Sequence, residues 1–253
     1  MAKVVEQELS ENVRSLNTYI KDTTYFLQKF NNISQPQPNE TIMFCLDAKA
    51  LYLSVPRIEA KSACKTALEI RTSKTISTNS VLEMMDLVLE NNNLRFDNKQ
   101  SLQTDGTAIG SHLGRNYACT YLGNWEQELY SKSKYLPSHY WRYVDDIWGI
   151  WHHGLEKLQQ FHKLANSFHP RIQTELRYSE KEIEFLDVNV SISEGYFKTD
   201  LYCKDTDKHM YLHASSSHPK TVKHAIQYGL GIRVKRICSE ETDYNNRRED
   251  IKD

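Results

Sequence analysis

The stretch from Tyr140 to Trp151 constrains the chain most. Tyr140-Trp141-Arg142-Tyr143-Val144 and Ile147-Trp148-Gly149-Ile150-Trp151, both rich in aromatic and β-branched residues, flank the pair Asp145-Asp146. Two such runs joined by two acidic turn residues predict a β-hairpin with its carboxylates held at the tip. Adjacent like charges repel and are costly to desolvate, so a tip that presents them above buried strands favours a bound cation. A few oxygen ligands, completed by substrate phosphates, suit Mg²⁺. An Asp-Asp turn with no such duty is the competing reading, and the hairpin by itself leaves both open.

A third acid has a similar setting. Ile42-Met43-Phe44-Cys45-Leu46 is a continuous apolar run ending at Asp47, the pattern of a buried strand that delivers an acid at its C-terminal end. Leu51 to Val55 reads as a second extended segment, stopped by Pro56. If the Asp47 strand and the Asp145 hairpin are neighbours, the three acids converge on one sheet edge. They would there hold two Mg²⁺ at the ~4 Å spacing of in-line phosphoryl displacement. The chemistry so implied is nucleotidyl transfer.

The remaining segments supply packing. Leu9, Val13, Leu16, Ile20, Leu27 and Phe30 predict helices over 9–30, with Asp22 or Thr23 capping the second, before a Pro- and Asn-containing linker over 31–40. Helices are expected at 57–71 and 80–91, the latter capped by Asn79 or Ser80, and a hairpin at 94–103. A small-residue loop, Asp105 to Ser111, leads into a helix over 112–131, where Gly106 and Gly110 let backbone approach a ligand closely. A helix over 154–168 and strands over 172–178, 184–192 and 196–202 follow. Asp187 falls inside the middle strand, where a buried salt bridge or a turn contact is its expected fate. From Pro219 the pattern is helical, weakened at Gly229 and Gly231, and from Glu240 the tail is polar and expected to fray.

With 253 residues, 26% of them charged, and a net charge of −1, the overall balance names no partner. Its distribution does. Between Lys208 and Ser239 there is no Asp or Glu, while six Lys and Arg and four His are present, a local surface suited to a polyanion. The alternative is a solvated helix face. Five scattered cysteines without a CxxC pair exclude a disulfide framework or a zinc site and read as reduced, mostly buried thiols of an intracellular protein. No apolar run approaches the ~20 residues that span a bilayer, so no membrane partner is expected.

Tyr143-Val144-Asp145-Asp146 resembles the reverse-transcriptase signature, and the order of the surrounding segments resembles the Penelope-like retroelement reverse transcriptases. The matching stretches are LDAKALYLSVP (46–56), DGTAIGS (105–111), RYVDDIWGIW (142–151), HPRIQTELRYSEKEIEFLDVNV (169–190), LYCKDTDKHMYLHASSSHPKTVKHAI (201–226) and RVKRICS (233–239). The resemblance implies an α+β fold: a right-hand polymerase palm over 41–212, an RRM-like antiparallel sheet with packed helices, then a partial helical thumb over 213–253. Residues 1–40 would be N-terminal helices and linker.

It further implies that Asp47 and Asp145 bind two Mg²⁺, with Mn²⁺ an admissible substitute, and that Asp146 supports them as the third catalytic acid. Tyr52 would be the steric gate that favours deoxynucleotides. Gly106, Gly110 and Ser111 would lie near the incoming dNTP and template base, and Lys220, Lys223, Arg233 and Arg236 would grip an RNA or DNA template paired with a DNA primer. Nuclear residence would follow from the family's way of life. The chain departs from the family pattern in three ways. It lacks the Lys- and Arg-bearing fingers motifs ahead of Asp47, it has His112-Leu113-Gly114-Arg115 where a proline-containing continuation is usual, and it carries no GIY-YIG endonuclease. The expectation is therefore a truncated copy of an RNA-directed DNA polymerase, with a catalytically inactive nucleic-acid-binding remnant as the alternative.

Overall fold

The computed structural model describes residues 1–204, 206, 212–213 and 215–250; Lys208 and His209 of the basic segment lie outside them. In chain order the elements are α1 (Ala2–Ser15), α2 (Thr23–Phe30), β1 (Ile42–Ala48), α3 (Leu51–Ser54), α4 (Arg57–Ile70), α5 (Thr78–Glu90), β2 (Asn93–Phe96), β3 (Lys99–Leu102), α6 (His112–Lys132), β4 (His139–Tyr143), β5 (Asp146–Trp151), α7 (Leu155–Ala165), β6 (Thr174–Ser179), β7 (Glu182–Phe185), β8 (Val188–Ser193), β9 (Tyr196–Leu201), α8 (Lys220–Ile237) and α9 (Glu241–Asp250). The mixed helix and sheet, with antiparallel β4–β5 and β7–β8–β9 pairings, is the expected α+β class.

Several local expectations are corrected. Residues 51–54 form a helical turn, not a strand, because the buried residues Leu51 and Val55 are four apart while Leu53 between them is exposed. Val55 N donates to Leu51 O at 2.9 Å to close that turn. Pro56 then sits at the N-cap of α4, where its missing N–H costs nothing. The cap of α5 is Ser77, whose Oγ accepts from Ser80 N at 3.1 Å. The strand expected over 184–192 is two strands: Phe185 pairs with Val188, leaving Leu186 (φ 54°) and Asp187 as a two-residue turn. The helix α8 runs through Gly229 and Gly231, and the polar tail is α9.

The chain divides into two compact units, Met1–Lys21 with Phe44–Arg177, and Asp22–Met43 with Tyr178–Asp253. In the first, the sheet order is β4-β5-β1-β6, so β1 lies directly beside the acidic hairpin. Helix α1 packs on α4, α5 and α6 through Val5, Leu9 and Val13. The Phe44 ring meets Trp151 edge-on, with ring centroids 6.4 Å apart. It reaches that position because β5 carries glycine opposite: a Cβ on Gly149 would fall 2.5 Å from Phe44 Cζ. In the second unit, β7-β8-β9 form an antiparallel sheet on which α2 lies, Phe26 against Phe185 at 4.9 Å and Phe30 against Phe197 at 5.2 Å. The turn into α9 is bonded to β9, Ser239 N donating to Thr199 O at 2.8 Å. Among the described residues no helix is long and apolar enough to cross a membrane.

Candidate active site

The hairpin register places its acids asymmetrically. Tyr143 pairs with Asp146, so the turn is Val144-Asp145 and Asp146 is already the first residue of β5. The expectation of two acidic turn residues is therefore corrected: one acid is in the turn and one in the strand. Val144 has φ 58°, a left-handed conformation that a β-branched side chain resists at a cost of about 1–3 kcal/mol.

A buried ion pair holds that turn. Arg142 Nε donates to Glu126 Oε1 at 2.6 Å and Nη2 to Glu126 Oε2 at 3.2 Å, while Nη1 reaches the Val144 carbonyl at 3.0 Å and Nη2 the Cys119 carbonyl at 3.3 Å. Thr18 Oγ1 donates to Glu126 Oε2 at 2.8 Å, so both carboxylate oxygens are satisfied. Burial opposes the charge on Arg142, but Glu126 outweighs it and holds the guanidinium above its usual range. Sequence reasoning missed both residues. The available signal was a single Arg inside an otherwise apolar, aromatic strand.

Asp47 lies at the end of β1 with its side chain exposed, and the next residue bonds across to the hairpin, Ala48 N donating to Asp145 O at 3.2 Å. The two carboxylates therefore stand at adjoining strand ends. Burial pushes the Asp145 carboxyl up, backbone N–H groups of the turn pull it back, and the Asp47 charge adds to the rise. Among the described residues no group of three or more His, Cys, Asp or Glu side chains is close enough to hold a metal, so Asp146 does not complete a three-acid cluster. The Asp47–Asp145 pair does suit a hard divalent cation. It offers oxygen ligands only, in a partly exposed place, and its mutual repulsion is relieved by positive charge.

Tyr52, on α3, lies close enough to Asp145 to feel its charge. Burial pushes its hydroxyl up, and Asp145 and Tyr143 add to the rise while Arg115 opposes it. The ring rests on α6 where Gly114 has no side chain; a Cβ there would lie 3.2 Å from Tyr52 Cε1. Thr107 N donates to Tyr52 O at 2.7 Å, tying the small-residue loop to α3. Gly106 is obligatory in that loop: its φ is 65°, and a Cβ would meet the carbonyl oxygens of Tyr52 at 2.5 Å and Leu53 at 2.8 Å. Arg57 fixes the loop from one side, donating to Gly106 O at 3.0 Å and Gln103 O at 2.8 Å. Arg171 fixes it from the other, pairing with Asp105 and donating to Leu53 O at 2.8 Å. The loop ends at Gly110 (φ 88°) and Ser111, the N-cap of α6. The structure thus brings Asp47, Tyr52, Gly106 and Asp145 into one region of the first unit.

The four basic residues expected to grip nucleic acid lie on α8 of the second unit. Lys220 and Arg236 are exposed and Lys223 is half-buried, but Arg233 Nη2 donates to Asp187 Oδ1 at 2.7 Å. Asp187 also accepts from Thr23 Oγ1 at 3.1 Å; it sits in the Leu186-Asp187 turn, and its ion pair with Arg233 is half-exposed where a buried one was expected.

A family model described as the animal helix-turn-helix domain matches residues 210–253. No curated protein matches the chain. Among solved structures, telomerase from Candida albicans, in complex with the TWJ fragment of telomeric RNA, superposes with a TM-score of 0.71 at 10% identity, over 99% of this chain and 45% of that one. Apo telomerase from Candida tropicalis, truncated from its C-terminal domain, gives 0.57 at 14% identity over 78% and 45%. An RNA-dependent RNA polymerase, vp4, gives 0.55 at 10% identity over 78% and 20%. The chain spans less than half the length of these proteins, and what it shares with them is a polymerase-like fold.

Proposed function

We propose that this chain carries the palm of an RNA-directed DNA polymerase of the Penelope-like kind and a partial thumb, and that Asp47 and Asp145 are its catalytic pair. The observation that carries the reading is the pairing of β1 with β5, which sets two carboxylates at adjoining strand ends in a polymerase-like fold. Bound Mg²⁺, with Mn²⁺ as substitute, would supply charge neutralisation at the attacking 3′-hydroxyl and the departing pyrophosphate.

The chain's own residues do the remainder. Asp47 and Asp145 hold the cation, and Asp146, one residue into β5, supports the charge and geometry of the hairpin. Arg142 and Glu126 keep the strained Val144 turn in place. The Tyr52 ring, lodged on Gly114, closes the space beneath the sugar against a 2′-hydroxyl. The clamped Gly106–Ser111 loop frames the nucleotide and template base, and Lys220, Lys223 and Arg236 hold the template-primer backbone, with Arg233 shared with Asp187. The substrates are dNTPs and an RNA or DNA template bearing a DNA primer.

Primer extension on an RNA template with Mg²⁺ and dNTPs tests this reading. Incorporation by the native chain and its loss in Asp145→Ala are expected, and undiminished incorporation in that variant rejects the assignment. A second reading, a nucleic-acid-binding chain without catalysis, draws on the helix-turn-helix match over 210–253. It predicts binding that is unchanged by Mg²⁺ and by Asp47→Asn but weakens steeply with salt.

A further inference from the structure

Four arginines surround the candidate site, and three of them are engaged by protein oxygens. Arg57 and Arg171 clamp the small-residue loop, and Arg142 is locked on Glu126 and Val144. Arg115, in the first turn of α6, differs from them. Its guanidinium lies over the Tyr143 ring, Cζ 5.3 Å from the centroid, with Nη2 buried and bonded to nothing in the protein. Of these four it alone keeps such an orphaned N–H among the described residues.

Leaving a buried, charged donor unsatisfied costs more than stacking a guanidinium on an aromatic face recovers. The resting position of Arg115 is therefore poorly compensated, and little opposes its leaving. The residue is only half-buried, its side chain is long and flexible, and it starts between Tyr143, the last residue of β4 before the turn that bears Asp145, and Gly114, the seat of the Tyr52 ring. A planar fork of N–H donors at that point suits a phosphate group, which it can engage through two parallel bonds.

We propose that Arg115 is a substrate-binding residue that swings off Tyr143 to take a phosphate group beside Asp145. The phosphate has two possible sources with the same chemistry, the triphosphate of an incoming nucleotide or the backbone of the primer-template. The proposal deepens the polymerase reading and rests on it only for the identity of the ligand.

The test is equilibrium binding by the full chain, with tripolyphosphate, dTTP and a labelled primer-template as separate probes, for the native protein, Arg115→Gln and Arg115→Lys. Arg115→Gln is expected to weaken tripolyphosphate binding about tenfold or more, the loss of one charge-assisted contact. Arg115→Lys, which keeps the charge but not the fork, should recover part of that loss. A matching loss for dTTP alone assigns the nucleotide. A matching loss for primer-template, with a salt slope shallower by about 1, assigns the backbone. Binding of all three probes within twofold of native by Arg115→Gln overturns the proposal. So does a native chain that binds none of them, or an Arg115→Lys as impaired as Arg115→Gln, which would trace the effect to packing on Tyr143. Because no probe is turned over, a chain that fails primer extension can still pass this test, and the two readings fail separately.

Discussion

At the scale of single residues, the buried Arg142 and the half-buried Asp145 carry charges with opposite consequences for stability. Removing Arg142 as Arg142→Met strands Glu126 without its partner and should cost about 3–5 kcal/mol, read as a fall in the denaturation midpoint. Adding Glu126→Leu should restore most of that stability, since an apolar pair of similar volume often replaces a buried ion pair at little cost. Activity should stay low in the double variant, because the Val144 carbonyl has still lost its donor. Asp145 behaves the other way. Its carboxyl is held above the usual carboxylate range by burial and by Asp47, so ionising it works against the fold. The contribution of Asp145 is full at pH values below its unfolded pKa and is lost as pH rises through its raised folded value. Asp145→Asn should therefore gain stability relative to the native chain across that rise in a metal-free buffer, and Mg²⁺ should narrow the gap; a difference that does not change with pH would contradict this. The sequence displays Arg142 and Arg115 plainly, but it does not show what a charge inside an aromatic strand pairs with, or that a guanidinium at the start of α6 has an N–H left over.

At the scale of elements, what could be read from the sequence depended on pattern length. The hairpin β4–β5, the strand β1 and the helix α6 are long or strongly patterned, and the sequence predicts each within a residue or two. Shorter features were hidden. The turn α3 is four residues with two buried positions, too few for a period to show, and the turn at Leu186-Asp187 lacks the Gly or Asn that usually marks one. Helix α9 has almost no apolar residues to betray it and is tied down by Arg247 bonding Asp200 at 2.7 Å. The small-residue loop is where element and site meet. Gly106→Ala combines an unfavourable φ with a clash against backbone carbonyls, so it should lower the melting temperature by several degrees and remove activity, while Gly110→Ala, with open space around it, should cost only the φ penalty of about 1 kcal/mol. On α8, Lys220→Gln with Lys223→Gln should weaken nucleic-acid binding uniformly across sequences and reduce the salt slope by about 2. A slope that stays at its native value would remove α8 from the interface.

At the scale of the whole molecule, the chain builds two units from interleaved segments, so that Asp22–Met43 groups with Tyr178–Asp253 although some 130 residues of the first unit separate them. No reading along the chain shows that grouping, because it arises from contacts such as Phe26 on Phe185 between segments far apart in sequence. The arrangement that matters for chemistry was more accessible: an apolar run ending in one acid, and a hairpin bearing two more, imply a shared sheet edge once the strands are taken as neighbours. The structure supplies that neighbour relation for Asp47 and Asp145 and sets Asp146 one step away in β5. On the function proposed above, Asp47 and Asp145 act as one unit in nucleotidyl transfer. Single-turnover incorporation of one dNTP on a primed RNA template, measured for Asp47→Asn, Asp145→Asn and the double variant, tests it directly. Residues acting as a unit are strongly non-additive, so each single substitution should lower the rate by about 10³-fold or more and the double should be no slower than the worse single. Incorporation that persists in either single variant, or losses that multiply in the double, would contradict the claim.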